Sequence, residues 1–276
     1  MMENDNFNDS HVSSENDTSV LGECPADVSN VNENDDPWCN LKQLRNSHPK
    51  NLIFGTLNIN SIRNKFQCLQ DAIAGNLIDI LTICESKLDD SFPKAQFHVN
   101  GFSVFRLDSS ATSGGVMVYV RSDIPCRRRP EYEYVCHESQ SLCLELSIRK
   151  EKWFLLSNYV LPSSNVKSFC DLMNPILDKM MCESSNIILT GDFNVDMLSK
   201  GTKFSTLDEL LQMYNLKNII TDATCFKSSN ASLLDLFIVS KPRRFSTTLN
   251  FNCGLTRNAF VNLNRLSLCN YFKERC

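Results

Sequence analysis

The sequence lacks long apolar runs and is poor in glycine and proline. Stretches such as 186–191 (NIILTG) are as long as a strand and far short of the roughly 20 residues that a membrane helix needs, so we expect no membrane partner. Only nine glycines and nine prolines occur in 276 residues, which excludes collagen-like and Pro/Gly-rich disordered chains. The first residues have neither the basic nor the apolar stretch of a secretory signal. We therefore expect an intracellular protein, nuclear or cytoplasmic.

Paired cysteine motifs are missing too, although the sequence has 13 cysteines. Without any CxxC pair, structural zinc sites and thioredoxin-like redox sites are excluded. Cys84, Cys143 and Cys170 lie in apolar contexts, where a free thiol packs as a small hydrophobic side chain. We expect reduced thiols and no disulfide-linked partner. No P-loop, GxGxxG, HExxH or nucleophile-elbow motif is present either.

Charge is unevenly distributed along the chain. Residues 1–36 hold ten acidic side chains and no lysine or arginine, which leaves 22 acidic and 28 basic residues in the remainder, a formal charge of +6. A mild positive balance is compatible with a polyanionic partner. Residues 1–48 are rich in Asn, Asp, Glu and Ser and have too little apolar surface to offset the entropy of folding. We therefore predict a disordered leader at 1–48.

The pattern from residue 52 onward predicts strands interspersed with helices. Apolar runs predict strands at 52–57, 78–84, 102–107, 115–120, 142–148, 153–160, 187–190, 233–239 and 246–251. Apolar residues at helical spacing predict helices at 62–75, 166–180 and 204–214, the second of them capped by Ser164 or Asn165. This order of elements is typical of an α/β or α+β domain.

Polar side chains at the ends of the predicted strands are the candidate site residues. Asn58 follows the first strand, Glu85 follows the second directly, and Asp192 and Asn194 follow the strand at 187–190. Asp235 lies in an otherwise apolar strand, where a buried carboxylate needs a hydrogen-bonded or ionic partner. Each residue alone has an ordinary alternative as a turn, cap or edge residue. Strand ends are nevertheless where open sheets place their active sites.

Taken together and in this order, these stretches resemble the endonuclease/exonuclease/phosphatase superfamily, and in particular the apurinic-type endonuclease domain of non-LTR retrotransposons. The resembling stretches are 57–65 (LNINSIRNK), 83–91 (ICESKLDDS), 101–108 (GFSVFRLD), 114–121 (GGVMVYVR), 158–164 (NYVLPSS), 190–196 (TGDFNVD) and 232–240 (SLLDLFIVS). The resemblance implies a DNase I-like four-layer α/β sandwich, in which two packed β-sheets are flanked by helices. It also implies hydrolysis of DNA phosphodiesters, with nicking of one strand.

A metal site is a further implication of the resemblance. Glu85 would ligate a divalent cation with help from Asn58, the cation being normally Mg²⁺, with Mn²⁺ as the alternative. Magnesium takes few carboxylate oxygens and keeps several waters, so a site with so few protein ligands is chemically reasonable.

The resemblance assigns the remaining residues to the phosphate and its attacking water. Asp192 would orient or deprotonate the water, and Asn194 would hold a phosphate oxygen. Tyr159 would contact the scissile phosphate, and Asp235 would brace a histidine further along the chain, as a carboxylate does in other triads. These donors and the metal would stabilise the charge of a pentacovalent phosphorus.

The sequence departs from the family where a Ser-Asp-His motif closes the site. Residues 254–260 read GLTRNAF, which places Thr256, Arg257 and Asn258 at the three motif positions. Asparagine cannot shuttle a proton, and loss of a positioned acid–base group costs roughly 10²–10⁴-fold in rate. All four histidines precede this point and lie outside the resembling stretches: His11, His48, His98 and His137. Alternation of apolar residues at 259–263 still predicts a last strand. By the resemblance we expect the family domain at 49–264 and a non-family tail at 265–276, which differs from the family as a frameshifted or alternatively spliced end would.

Three functions remain open on the sequence alone. The first is a Mg²⁺-dependent DNA endonuclease of retroelement origin with impaired turnover. The second is a catalytically inactive remnant that at most binds nucleic acid. The third is a phosphatase of the same superfamily acting on an inositol phosphate or a lipid. The basic cluster at 127–129 (RRR) is either a contact for a DNA backbone or a solvated loop.

Overall fold

The computed structural model describes residue 36 and residues 38–227, 230–252, 255 and 260–266. The helices in these ranges are α1 (Cys39–Ser47), α2 (Phe66–Ala74), α3 (Val166–Glu183) and α4 (Thr202–Met213). The strands are β1 (Leu52–Asn58), β2 (Ile80–Cys84), β3 (Phe102–Leu107), β4 (Val116–Arg121), β5 (Cys126–Arg128), β6 (Tyr134–Val135), β7 (Ser139–Ile148), β8 (Glu151–Val160), β9 (Ile187–Asp192), β10 (Lys217–Asn218), β11 (Cys225–Lys227), β12 (Asn230–Ser232), β13 (Asp235–Val239), β14 (Phe245–Asn252) and β15 (Phe260–Leu266). Of the helices in this part of the chain, none is long and apolar enough to cross a membrane.

The strands form two large sheets and one short hairpin. The six-stranded sheet has the order β14-β15-β1-β2-β4-β3, and the seven-stranded sheet has the order β10-β13-β9-β8-β7-β5, with β6 paired to β7. β11 and β12 form the hairpin. One pair in each large sheet is parallel, β1 with β2 and β8 with β9. Parallel neighbours end at the same edge of a sheet. The carboxyl ends of β1 and β2, and those of β8 and β9, can therefore contribute residues to one site.

Alternating side chains of the central strands pack on opposite faces of the six-stranded sheet. Ile53 and Leu57 of β1 are buried against apolar residues of α1 and α2. Phe54 faces the other way, into the core between the sheets, where its ring meets that of Phe237 of β13 at a centroid distance of 5.8 Å. α3 and α4 cover the outer face of the seven-stranded sheet through residues such as Leu177. The result is the four-layer α/β sandwich of the DNase I-like fold, as predicted.

The helix α1 corrects the prediction of a disordered leader that extends to residue 48. Trp38, Leu41 and Leu44 are buried in the domain, and the Arg45 guanidinium donates to the Asp79 carboxylate at 2.6 Å. These apolar residues recur at helical spacing, but over too few turns to stand out from the polar sequence around them. Packing against the sheet stabilises such a short helix, which the local sequence alone would not.

The strands that carry the site lie where the sequence predicts them, with shifted ends. β9 extends to Asp192, two residues beyond the prediction, and α2 begins at Phe66 rather than near residue 62. Before the helix, Asn60 and Ser61 have positive φ values of 47° and 79°, and Lys65 is the N-cap. Asn165 caps α3 by accepting from the Lys167 amide at 2.9 Å. The predicted last strand is present as β15, which pairs with β1.

Candidate active site

The two sheets bring the predicted site residues together at one edge. Asn58 ends β1, and Glu85 directly follows β2. Asp192 ends β9, where it lies beside Tyr159 of β8 on one side and Asp235 of β13 on the other. Residues from both sheets therefore face the same small volume.

Asn58 connects the carboxylates of the two sheets. Its Nδ2 donates to Glu85 Oε1 at 2.9 Å and to Asp192 Oδ2 at 2.7 Å. Its Oδ1 accepts from the Asn60 amide at 3.1 Å, which fixes the orientation of the side-chain amide. One side chain thus sets the relative position of the predicted metal ligand and the predicted base.

Glu85 presents its carboxylate in a partly exposed position. Its backbone φ is 54°, in the left-handed region that a non-glycine residue enters only when its surroundings hold it there. The side chain is 19% exposed, and its Oε2 lies 3.3 Å from the Lys87 ammonium. The position attracts a cation and remains open to water.

Tyr159 faces the same carboxylates and stays protonated. Burial, followed by the negative charges of Glu85 and Asp192, raises the pKa of its hydroxyl above the usual value. A protonated phenol can donate a hydrogen bond to an incoming oxygen atom.

Asp192 is buried, and both of its oxygens accept hydrogen bonds. Oδ2 accepts from Asn58, and Oδ1 accepts from the Asn194 amide at 2.9 Å. Burial raises the pKa of Asp192 to about 6, against the opposing effect of these hydrogen bonds. Asn194, with a φ of 48°, is itself held by a bond from its Nδ2 to the Val160 carbonyl at 2.7 Å. The carboxylate is oriented on both sides and retains affinity for a proton near neutral pH.

Asp235 lies directly opposite Asp192 in the pairing of β13 with β9. Burial, and then the charge of Asp192, raises its pKa well above the usual value. Its Oδ1 has no hydrogen-bond partner among the described residues. A buried carboxyl oxygen without a partner fits a residue whose role is to brace another group.

Two further contacts at the site were not predicted from the sequence. The Cys84 thiol donates to the Asn158 carbonyl at 3.2 Å and accepts from the Asp192 amide at 3.4 Å. Cys84 thereby ties the strand that presents Glu85 to the strands that present Asp192. The sequence signal for this role is that Cys84 immediately precedes Glu85. Because Cys84 lies in an apolar run, the sequence does not indicate that its thiol makes hydrogen bonds.

The donor set fits a magnesium ion held by few protein ligands. Within the described ranges, no three His, Cys, Asp or Glu side chains form a metal-binding group. The partly exposed carboxylate of Glu85 matches the preference of Mg²⁺ for one or two carboxylates and retained waters, whereas Asn58 turns its Nδ2 rather than its oxygen toward Glu85.

The structure does not assign the basic cluster at 127–129 to DNA. Arg127 pairs with Glu145 at 2.8 Å, and Arg128 pairs with Glu133 at 2.8 Å. The cluster is not a loop either, because Cys126–Arg128 form β5, in which Arg127 is exposed, and Arg129 is buried. The remaining predicted positions, Thr256, Arg257 and Asn258, lie outside the described residues. His98 and His137 are both exposed.

The family comparison agrees with the fold. Residues 55–257 match the model of the endonuclease/exonuclease/phosphatase family, and the chain belongs to that family. No curated protein sequence matches the chain.

Solved structures share the fold at low sequence identity. The endonuclease domain of TRAS1, a telomere-specific non-LTR retrotransposon, is 15% identical with a TM-score of 0.62, covering 79% of this chain and 99% of that domain. The AP endonuclease LMAP of Leishmania major is 16% identical with a TM-score of 0.64, covering 79% and 88%. The 3′ phosphatase NExo of Neisseria, bound to a product DNA hairpin, is 15% identical with a TM-score of 0.61, covering 78% and 99%. These likenesses support the DNase I-like fold.

Proposed function

We propose that this chain is a Mg²⁺-dependent phosphodiesterase that nicks one strand of DNA, with turnover impaired by the change at 256–258. The observation that carries the proposal is the Asn58 bridge, which holds Glu85 and Asp192 in one site in a member of this family. DNA as the substrate is supported by the solved relatives, one of which is a retrotransposon endonuclease and another of which is bound to a DNA product.

The residues of the site divide the work between water and phosphate. Asp192, with a pKa of about 6, is mostly ionised at pH 7 and accepts a proton from a water molecule, while its hydrogen bonds to Asn58 and Asn194 keep it oriented. The protonated Tyr159 hydroxyl donates to a phosphate oxygen. Glu85, with help from Asn58, would hold a divalent cation, which would supply Lewis-acid stabilisation of the phosphate charge.

A second candidate function is DNA binding without hydrolysis. Thr256, Arg257 and Asn258 replace the family's Ser-Asp-His motif, so the chain has no histidine where the family has its acid–base group. Asp235 Oδ1, which would brace that histidine, has no partner in the described part of the chain. Both observations favour slow turnover or none.

Nicking of supercoiled plasmid in Mg²⁺ tests both candidates. The proteins compared are the wild type, Asp192→Ala, a repaired variant with Thr256→Ser, Arg257→Asp and Asn258→His, and Asp171→Ala. The last is the same substitution as Asp192→Ala at an exposed residue of α3 and serves as the matched control.

We expect weak nicking by the wild type and by Asp171→Ala, none by Asp192→Ala, and roughly 10²–10⁴-fold faster nicking by the repaired variant. DNA binding in EDTA by all four proteins, with nicking only by the repaired variant, would favour the second candidate. Nicking that is equal in Asp192→Ala and the wild type would exclude the proposed site.

A further inference from the structure

Gln140 connects the two sheets beside the site. It lies on β7 of the seven-stranded sheet and is 5% exposed. Its Oε1 accepts from the Gly115 amide at 2.7 Å, and its Nε2 donates to Ser109 Oγ at 2.7 Å. Gly115 directly precedes β4 of the six-stranded sheet, so both ends of this amide hold a segment of the opposite sheet.

The segment that Gln140 holds in turn fixes the backbone that follows Glu85. The Gly115 carbonyl accepts from the Ser86 amide at 3.2 Å, and the Gly114 carbonyl accepts from the Lys87 amide at 2.9 Å. Glu85 and Lys87 both have positive φ values, of 54° and 53°. Conformations of this kind persist only where neighbouring groups over-determine them, and the two carbonyls are such groups.

Side-chain packing leaves this segment little freedom. Gly114 and Gly115 have φ values of 69° and 88°, and a Cβ on Gly114 would lie 2.7 Å from Gln140 Nε2. A Cβ on Gly115 would collide with Ser86 Oγ. The turn therefore follows the position of the Gln140 amide closely.

Gln140 and Tyr159 approach Glu85 from the same direction. They are directly opposite each other in the pairing of β7 with β8, so their side chains point to the same face of the sheet. Tyr159 reaches the Glu85 carboxylate, and Gln140 reaches the backbone that orients it. Tyr159 therefore contacts the Glu85 carboxylate directly, whereas Gln140 affects it only through the backbone.

We propose that Gln140 is a positioning residue that sets the geometry of Glu85 as a metal ligand. The inference rests on the proposed function, because the metal-binding role of Glu85 is itself proposed. Gln140 touches neither the metal nor the phosphate, and its effect passes through Gly115 and Ser86. Supporting groups of this kind change metal affinity about 10–100-fold when they are removed.

Binding of Mn²⁺ to the full chain, followed by electron paramagnetic resonance of the free ion, tests this role without requiring turnover. Gln140→Met keeps the length of the side chain and removes both hydrogen bonds. Gln140→Glu keeps an acceptor for Gly115 and a second oxygen for the Ser109 hydroxyl. Gln212→Met, an exposed position on α4, is the matched control.

We expect Gln140→Met to weaken Mn²⁺ binding about tenfold, Gln140→Glu to restore most of it, and Gln212→Met to leave it unchanged. Urea titration shows whether Gln140→Met folds. If it does not fold, Gln140→Asn takes its place, because asparagine keeps the amide but is shorter by one methylene group. Weaker Mn²⁺ binding by Gln140→Asn would then support the proposal. Wild-type binding in both Gln140→Met and Gln140→Asn, with loss in Glu85→Gln, would overturn the positioning role alone. Mn²⁺ binding that is indifferent to Glu85→Gln would overturn the proposed metal site and this inference together.

Discussion

Asp192 and Asp235 face each other across adjacent strands, at the last residue of β9 and the first residue of β13. Both are buried, and burial raises the pKa of each, that of Asp192 to about 6. Each carboxylate also raises the pKa of its neighbours through its charge, as Glu85 does for Asp192. The site is therefore a place where negative charge is costly, and where a bound cation or a proton is favoured.

The first prediction concerns stability and pH in the absence of metal. The folded state binds the Asp192 proton more tightly than the unfolded state, whose pKa is near 3.8. The contribution of this group to the free energy of unfolding is full below about pH 4 and is lost as the pH rises through 6. Asp192→Asn does not titrate, so its stability relative to the wild type should increase by about 2 kcal/mol between pH 4 and pH 7.

Urea unfolding of both proteins at pH 4, 5, 6 and 7 with EDTA measures this difference. Any constant offset from the changed hydrogen bonds cancels, because only the dependence on pH is compared. A difference that stays constant across this range would show that Asp192 has an ordinary pKa.

A second prediction concerns the close approach of two strands at Gly191. Its φ is 130°, and a Cβ there would collide with the Asn158 carbonyl. This carbonyl belongs to the backbone of a neighbouring strand and cannot move without distorting the sheet. Gly191→Ala should cost more than about 3 kcal/mol of stability or prevent folding. Gly201→Ala is the matched control, because a Cβ there has no atom within 4 Å. Thermal unfolding of the two variants checks the contrast, and equal midpoints would contradict it.

Glu85 and Asp192 could be picked out as candidate site residues because each breaks an apolar pattern at a defined place, whereas Tyr159 was indicated only by the family resemblance. Glu85 follows five consecutive buried residues of β2, and Asp192 ends a strand that is otherwise apolar and buried. Short strands such as β10 and β12, with two or three residues each, offer no period to detect. The contact of Asn58 with Asp192 spans 134 positions, so only tertiary packing reveals it. The role of Gln140 was hidden for the same reason.

A third prediction separates the arginines of the 127–129 cluster. Arg129 is 9% exposed and pairs with Glu131 and Glu183, both at 2.6 Å. Removal of this buried cation takes away its ion pairs and its packing on the rings of Tyr132 and Phe154, so Arg129→Ala should destabilise the fold by about 3 kcal/mol. Arg127→Ala, at a side chain that is 64% exposed, should cost less than about 1 kcal/mol. The midpoints of urea unfolding measure both effects. An equally large loss of stability in Arg127→Ala would mean that the exposed and the buried ion pairs contribute equally to stability.

The last prediction concerns the attachment of α1. The Asp79 carboxylate is fully buried, and it accepts from Arg45 and from the Ile53 amide, each at 2.6 Å. Arg45→Met keeps the aliphatic part of the side chain and removes this ion pair, which should cost about 1–3 kcal/mol. The loss should mainly destabilise α1, because the other contacts of this helix with the domain are those of Trp38 and its leucines. Hydrogen exchange of the amides in 39–47 should accelerate while that of β9 stays unchanged, and Arg243→Met, at an exposed arginine, should change neither. Unchanged exchange in α1 would mean that apolar packing alone holds the helix.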